Sequence, residues 1–293
     1  MKLIVSISTI PSRIAYLEPT IVSLIKQSVA PDEIHLQLPK FSGKEHCEYS
    51  IPSFFEKFKN LHVKWHDRDL GSSTKWFYPV KYLSDEEQTL LVIADDDCLY
   101  DHISLARLVE KITASTNTCF CYTGGQMSRL PEVVKSFQVK PWLIKNSITI
   151  LSENQTDIEV DTVQGFSLFI VRPYWFRSFD FGVVESLDWP SLSDDIVISG
   201  ILEFLSISRV QLGPYSLPEV LPQSEINPIH GDGRLIIKTI EGINALKQHL
   251  GIWQDVEARI AYRNLFEYIE EFLKKIKRKM GSLYQTCTSF LGF

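Results

Sequence analysis

Three consecutive carboxylates, Asp95, Asp96 and Asp97, end an apolar run, Thr89-Leu90-Leu91-Val92-Ile93-Ala94. Adjacent carboxylates repel one another, and such a cluster persists where a cation or bound donors offset the repulsion. A solvated loop that caps a helix near Asp101 would need no cation, but a position directly after a buried strand favours a metal site. Asp95 and Asp97, as alternate residues, could then face one side. Mg2+ or Mn2+ would take few oxygens from protein and the remainder from water and phosphate.

Three other places hold residues able to do chemistry. Asp69-Leu70-Gly71-Ser72-Ser73-Thr74-Lys75 combines a glycine and small hydroxyls, which permit close backbone approach, with a lysine whose point charge suits phosphate. Read alone, it is a turn leading into a helix. Ser193-Asp194-Asp195 precedes another apolar stretch, and by itself is a helix N-cap with carboxylates complementing the helix dipole. His230, within Asn227-Pro228-Ile229-His230-Gly231-Asp232-Gly233, is on its own an exposed loop histidine.

The elements that must position these residues follow from the hydrophobic pattern. Lys2 to Ser8 is an apolar, β-branched run that breaks at Pro11, and reads as a central strand emptying into a loop. A helix is expected from Tyr16 to Ser28, with Leu17, Ile21, Leu24 and Ile25 on one face. Strands follow at Glu33 to Leu38 and Leu61 to Trp65, then a helix over Lys75 to Leu83. The run ending at Ala94 is of the kind buried on both faces. Further strands are expected at Val160 to Gln164 and Ser167 to Val171 around Gly165, and a helix from Ser193 through Leu205. Alternation of this kind implies a mostly parallel sheet flanked by helices, with ligands at the carboxyl ends of its strands. Ser8 to Arg13, Asp67 to Lys75 and Asp95 to Asp97 should therefore share one rim.

The 293 residues suffice for one α/β core with a C-terminal extension, expected as a domain over 1–250 and an amphipathic helix and tail over 251–293. With 44% hydrophobic and 23% charged residues and no repeat, the composition excludes a disordered or solenoid chain. A net charge of -6 argues against a nucleic-acid binder, which needs a basic face. The five cysteines form no CxxC pair, and no leader-like apolar run opens the chain, so a reducing cytoplasm is expected. Cys119 and Cys121 share a strand face and read as buried small apolar residues.

Taken together, Ser8-Thr9-Ile10-Pro11-Ser12-Arg13, Ser23-Leu24-Ile25-Lys26-Gln27-Ser28 and Pro31-Asp32-Glu33-Ile34 resemble the opening of family-2-like GT-A glycosyltransferases. The resemblance runs from Met1 to about Phe204 and rests on order and spacing. It implies a GT-A fold, a Rossmann-like mixed but mostly parallel sheet between helices. It also implies a donor site in which Thr9, Pro11, Arg13, Asp69 and Lys75 hold the nucleotide and Asp96 contacts its ribose or sugar. Asp95-Asp96-Asp97 matches the family's Asp-X-Asp-like metal motif, with Mn2+ or Mg2+ on Asp95 and Asp97, and a late histidine such as His230 as a further ligand. Asp194-Asp195 resembles the acidic pair that supplies the catalytic base, Asp195 first and Asp194 second. Leu38-Pro39-Lys40-Phe41 lacks the acidic residue that many members carry after the second strand, which leaves the choice of base open.

The implied activity is metal-dependent, inverting transfer of a sugar from a UDP-linked or other nucleotide donor to a glycan or lipid-linked acceptor, as in surface polysaccharide biosynthesis. A retaining transferase and a non-catalytic nucleotide-sugar-binding module remain open alternatives. Toward the end, Val256, Ile260, Leu265, Ile269, Phe272, Leu273 and Ile276 recur at helical spacing, followed by Lys274-Lys275-Ile276-Lys277-Arg278-Lys279. This helix suits either an anionic membrane surface, making a cytoplasmic enzyme peripheral on the inner face, or packing on the domain or between subunits of a homo-oligomer.

Overall fold

A computed structural model describes residues 1–125, 156–188, 192–214, 217–228 and 234–254. His230, and the late helix and basic tail expected beyond Val256, lie outside the described residues.

The apolar runs become the middle of an eight-stranded sheet. Strands β1 (Lys2–Ser8), β2 (Glu33–Pro39), β3 (Leu61–His66) and β4 (Thr89–Ile93) lie in the order β3-β2-β1-β4, all parallel. β4 is buried along its whole length, as its unbroken apolar sequence requires. Their carboxyl ends meet on one rim, so the loops after β1, β3 and β4 are neighbours, as expected.

Helix α1 (Glu18–Ile25) is shorter than the periodicity suggests, because Pro19 fits only the first turn and sets the start after a separate 3-10 turn at Ile14–Tyr16. Helix α2 (Thr74–Tyr82) leads from the β3 rim back toward β4, with Trp76, Phe77 and Val80 buried. The short strand β5 (Cys98–Leu99) follows the aspartates, and helix α3 (Ser104–Thr113) buries Leu105, Leu108 and Ile112.

Beyond β4 the sheet continues β10-β6-β11-β8, with β6 (Thr118–Cys121), β8 (Ile158–Glu159), β10 (Phe169–Val171) and β11 (Ser208–Gln211). Cys119 and Cys121 are free thiols with no exposed surface, as expected of small apolar residues. β10 runs antiparallel between β4 and β6, with Phe169 opposite Ile93. An antiparallel strand begins where its parallel neighbour ends, so the turn before β10 is delivered to the aspartate rim.

A two-stranded ribbon of β7 (Gly124–Gly125) and β9 (Thr162–Val163) leads into that turn. The strand expected from Ser167 begins two residues later, because a 3-10 turn at Gly165–Ser167 takes up its first residue. Leu168 follows at φ 76°, a conformation that costs a non-glycine residue about 1–3 kcal/mol. Helix α4 (Asp194–Phe204) packs on helix α5 (Arg234–Leu250). A Cβ on Gly200 would stand 2.6 Å from Leu246, so that crossing needs glycine. Strand β12 (Glu219–Val220) pairs with β5 and draws the segment after β11 across the rim.

Candidate active site

Lys75 lies in the first turn of α2 and is 4% exposed. Its ammonium stands 2.5 Å from Asp95 Oδ1 and 2.8 Å from Asp194 Oδ2. The two acidic motifs, nearly a hundred residues apart in sequence, thus share one buried cation. Ser72 Oγ donates to the other oxygen of Asp194 at 2.9 Å.

Gly165 closes over this arrangement. A Cβ there would lie 2.9 Å from Lys75 Nζ and 3.5 Å from Asp95 Oδ1, so no other residue fits without moving the lysine. Its N–H donates to Asp195 Oδ1 at 2.9 Å, and the second oxygen of Asp195 has no donor among the described residues. The residue ahead of α4 is Ser193, whose side chain makes no capping bond. The acidic pair therefore does not act as a simple cap: both carboxylates turn toward Lys75 and Gly165.

The electrostatics separate the two carboxylates. Burial penalises the charge of Asp194, but the adjacent Lys75 ammonium outweighs it and holds the group below the ordinary range. Asp195 is pushed well above its ordinary value by burial and by the charge of Asp194 beside it. Burial likewise works against the Lys75 ammonium, and the charges of Asp194 and Asp95 overcome it, so the lysine is firmly protonated.

On the other side of the triplet, Arg13 Nη1 donates to Asp96 Oδ1 at 3.1 Å and to Asp97 Oδ2 at 3.0 Å. Its remaining donors reach the carbonyls of Ile226 and Ser224, both at 2.9 Å. Thr9 Oγ1 donates to Asp96 Oδ2 at 2.5 Å, and Thr20 Oγ1 to the Asp96 carbonyl at 3.0 Å. Burial raises the Asp96 carboxyl to about 6 even with Arg13 beside it. Burial and the neighbouring Asp95 raise that of Asp97.

Five expected ligand contacts, those of Thr9, Arg13, Asp69, Lys75 and Asp96, are thus taken up by the protein itself. Asp96 is a buried brace for Thr9 and Arg13. Asp69 accepts from the backbone of Gly71 and of Gly43, both at 2.8 Å, and so ties two loops together. Lys75 faces carboxylates where its sequence context pointed to phosphate. Pro11 opens the turn in which Arg13 N–H returns to the Ile10 carbonyl at 3.0 Å.

Asp95 and Asp97 look to different cations, Lys75 and Arg13, although both remain on the rim. Among the described residues, the four carboxylates Asp95, Asp96, Asp97 and Asp194 make their ion pairs with just Lys75 and Arg13. That excess of negative charge fits a divalent cation. Among the described residues no three His, Cys, Asp or Glu side chains form a ligand cluster, so a cation on Asp95 and Asp97 would draw further ligands from phosphate and water.

Sequence reasoning missed Glu45. It accepts from Ser12 N–H at 2.8 Å and Oγ at 2.5 Å and from Asn227 Nδ2 at 2.9 Å, joining the first loop to the segment that crosses the rim. It lies beyond Leu38-Pro39-Lys40-Phe41, the stretch directly after β2 that carries no acidic residue.

No protein-family model matches the chain, and no curated protein matches it in sequence. Its fold is nevertheless that of a solved structure, Staphylococcus aureus TarS 1–349 in complex with UDP. The TM-score is 0.50 at 13% identity, over 85% of this chain and 65% of that one. The chain thus spans slightly under two thirds of the TarS fragment. Two further TarS structures match at 0.49 (13% identity, 85% of this chain, 39% of that one) and 0.47 (12%, 85%, 65%). With its mixed, mostly parallel sheet between helices, the chain has a GT-A fold. Among the described residues no helix is long and apolar enough to cross a membrane.

Proposed function

We propose that this chain is a glycosyltransferase, moving a sugar from a UDP-linked donor to a hydroxyl of a glycan or lipid-linked acceptor with inversion. The observation that carries this reading is the Lys75 bridge. It joins Asp95, on the loop expected to meet the diphosphate, to Asp194-Asp195, the pair placed to serve the acceptor. The TarS complex with UDP supports the choice of nucleotide.

In this reading Asp195 takes the acceptor proton on the oxygen that Gly165 leaves free. A carboxylate with raised proton affinity is the better base for an alcohol. Asp194 stays ionised against Lys75 and Ser72, and the backbone of Gly165 fixes the base. Arg13 and Thr9 hold the triplet in shape for the donor. Asp95 and Asp97 would hold Mn2+ or Mg2+, with His230 a further candidate ligand. Bound there, the ion would supply Lewis-acid stabilisation of the leaving diphosphate. The basic segment Lys274 to Lys279 would seat the enzyme on the anionic inner face of a membrane.

The deciding experiment pairs transfer with donor binding. Asp195→Asn should lower transfer about 10²–10⁴-fold while UDP affinity by calorimetry is retained; unchanged transfer removes Asp195 as the base. The product anomer, read by NMR, tests inversion. UDP binding indifferent to Mn2+, EDTA and Asp97→Ala would sink the metal site.

A further inference from the structure

The backbone carbonyl of Lys75 has no i+4 donor within its own helix. In an α-helix the carbonyl of residue i accepts from the N–H of residue i+4. Four residues after Lys75 stands Pro79, inside α2 and without an N–H. The vacant carbonyl accepts instead from Ser6 Oγ, at 2.6 Å, in the middle of β1.

Ser6 is itself the residue that registers the aspartate loop. Its backbone carbonyl accepts from Ala94 N–H at 3.1 Å, one residue before Asp95, and it pairs with Ile93 across the sheet. One fully buried serine therefore fixes both Lys75 and the strand end that carries its partner.

The hydroxyl of Ser6 is in turn oriented from behind. Gln37, fully buried on β2, donates through Nε2 to Ser6 Oγ at 3.1 Å and to Tyr82 OH at 2.9 Å. Its Oε1 accepts from His66 Nε2 at 2.7 Å, which sets that ring's tautomer. Tyr82 then directs its single proton to His35 Nδ1 at 2.8 Å, and His35 Nε2–H faces Glu33 Oε2 at 2.6 Å. Each donor meets one acceptor, so the chain has one direction and leaves Ser6 one rotamer. Apolar side chains of similar volume would serve stability as well or better than such a buried network. What the network adds is position.

We propose that Pro79, Ser6 and Gln37 are positioning residues for Lys75. The proline frees the carbonyl, the serine docks it on β1 beside the aspartate loop, and the glutamine fixes the serine. The consequence for rate rests on the transferase reading above; the placement of the ammonium does not.

Two measurements separate these. Without substrate, the Lys75 ammonium of the full chain should be slow to exchange by ¹⁵N NMR, and Ser6→Ala and Gln37→Leu should each speed that exchange while β4 amides keep their protection. With substrates, the same variants should lower kcat about tenfold with donor KM nearly unchanged, and neither should lower it further in a Lys75→Met background. Pro79→Ala, which restores a competing N–H, should lose part of the same rate and serves if Ser6→Ala does not fold. Wild-type ammonium exchange in both Ser6→Ala and Gln37→Leu would overturn the proposal, as would losses that add to that of Lys75→Met. Accelerated exchange in a chain that transfers no sugar would uphold the device and discard the transferase reading alone.

Discussion

The two halves of the sheet hold their functional residues by different means. Strands β1 to β4 run five to seven residues, and the carboxylates at their ends are braced by neighbours from the same half, Asp96 by Thr9 and Arg13, and Asp97 by Arg13. Strands β6, β8, β10 and β11 run two to four residues, and the acidic pair beside them leans on the first half through Lys75 and Ser72. The donor side is braced mainly by its own half, with Arg13 also held by the Ser224 and Ile226 carbonyls, whereas the proposed base leans wholly on the donor side and Gly165. A perturbation of the bridge should therefore damage both halves, and a perturbation of either end only one.

The largest effect belongs to Lys75→Met. It leaves the part-buried Asp95 and Asp194 without their cation, a loss of up to about 3–5 kcal/mol, the range for a broken buried pair. Transfer should fall about 10²–10³-fold, to a residual rate that a transfer assay still reads, and the melting temperature by calorimetry should fall; a well-folded, fully active variant would dissolve the distinction between the halves. Arg13→Met should come next. It strands Asp96 and Asp97 and frees the Ser224 and Ile226 carbonyls, so UDP affinity should drop about tenfold or more while the pH dependence of kcat is preserved.

Gly165→Ala presses on the bridge from the acceptor side. Its Cβ would crowd Lys75 Nζ at 2.9 Å, an overpacking that costs about 1–3 kcal/mol. It should reduce kcat and, to a smaller extent, UDP affinity measured by calorimetry. The smallest effect is a pH response in the parallel half. Burial holds His66 at about 4, below its ordinary 6.5. The unfolded chain then takes up the proton first, so stability is fully present above about 6.5 and declines as pH falls toward 4. Melting curves of His66→Gln should be flatter than wild type across that window, and parallel curves would contradict it.

Legibility in the sequence followed the same division. The apolar runs of β1 and β4 were readable because a strand buried on both faces admits few other patterns, and the polar clusters after them were readable as one rim. Asp95, Asp194 and Lys75 were each singled out, yet for separate roles. Their meeting was hidden, because Lys75 looked like a phosphate ligand while its flanking Gly71 and Ser72 advertised only a flexible turn. The break at Gly165 was read, but the strand after it was begun at Ser167, two residues early, because Leu168 extends the apolar pattern of Phe169, Ile170 and Val171 and its strain leaves no mark in composition. Helix α3 entered only as a helix near Asp101, without bounds. Glu45 lay too far beyond β2 to be sought.

The aspartate triplet shows where the boundary falls. By itself the sequence determined that three carboxylates stand at the end of a buried strand, because local hydrophobicity and spacing decide burial and strand ends. Only the tertiary structure decided that they divide, Asp95 toward Lys75 and Asp96 with Asp97 toward Arg13. The reason is that β10 enters antiparallel beside β4 and brings Gly165 and Asp195 to the same rim. Pairing between segments some seventy residues apart is set by the packing of the whole sheet, and no local period records it.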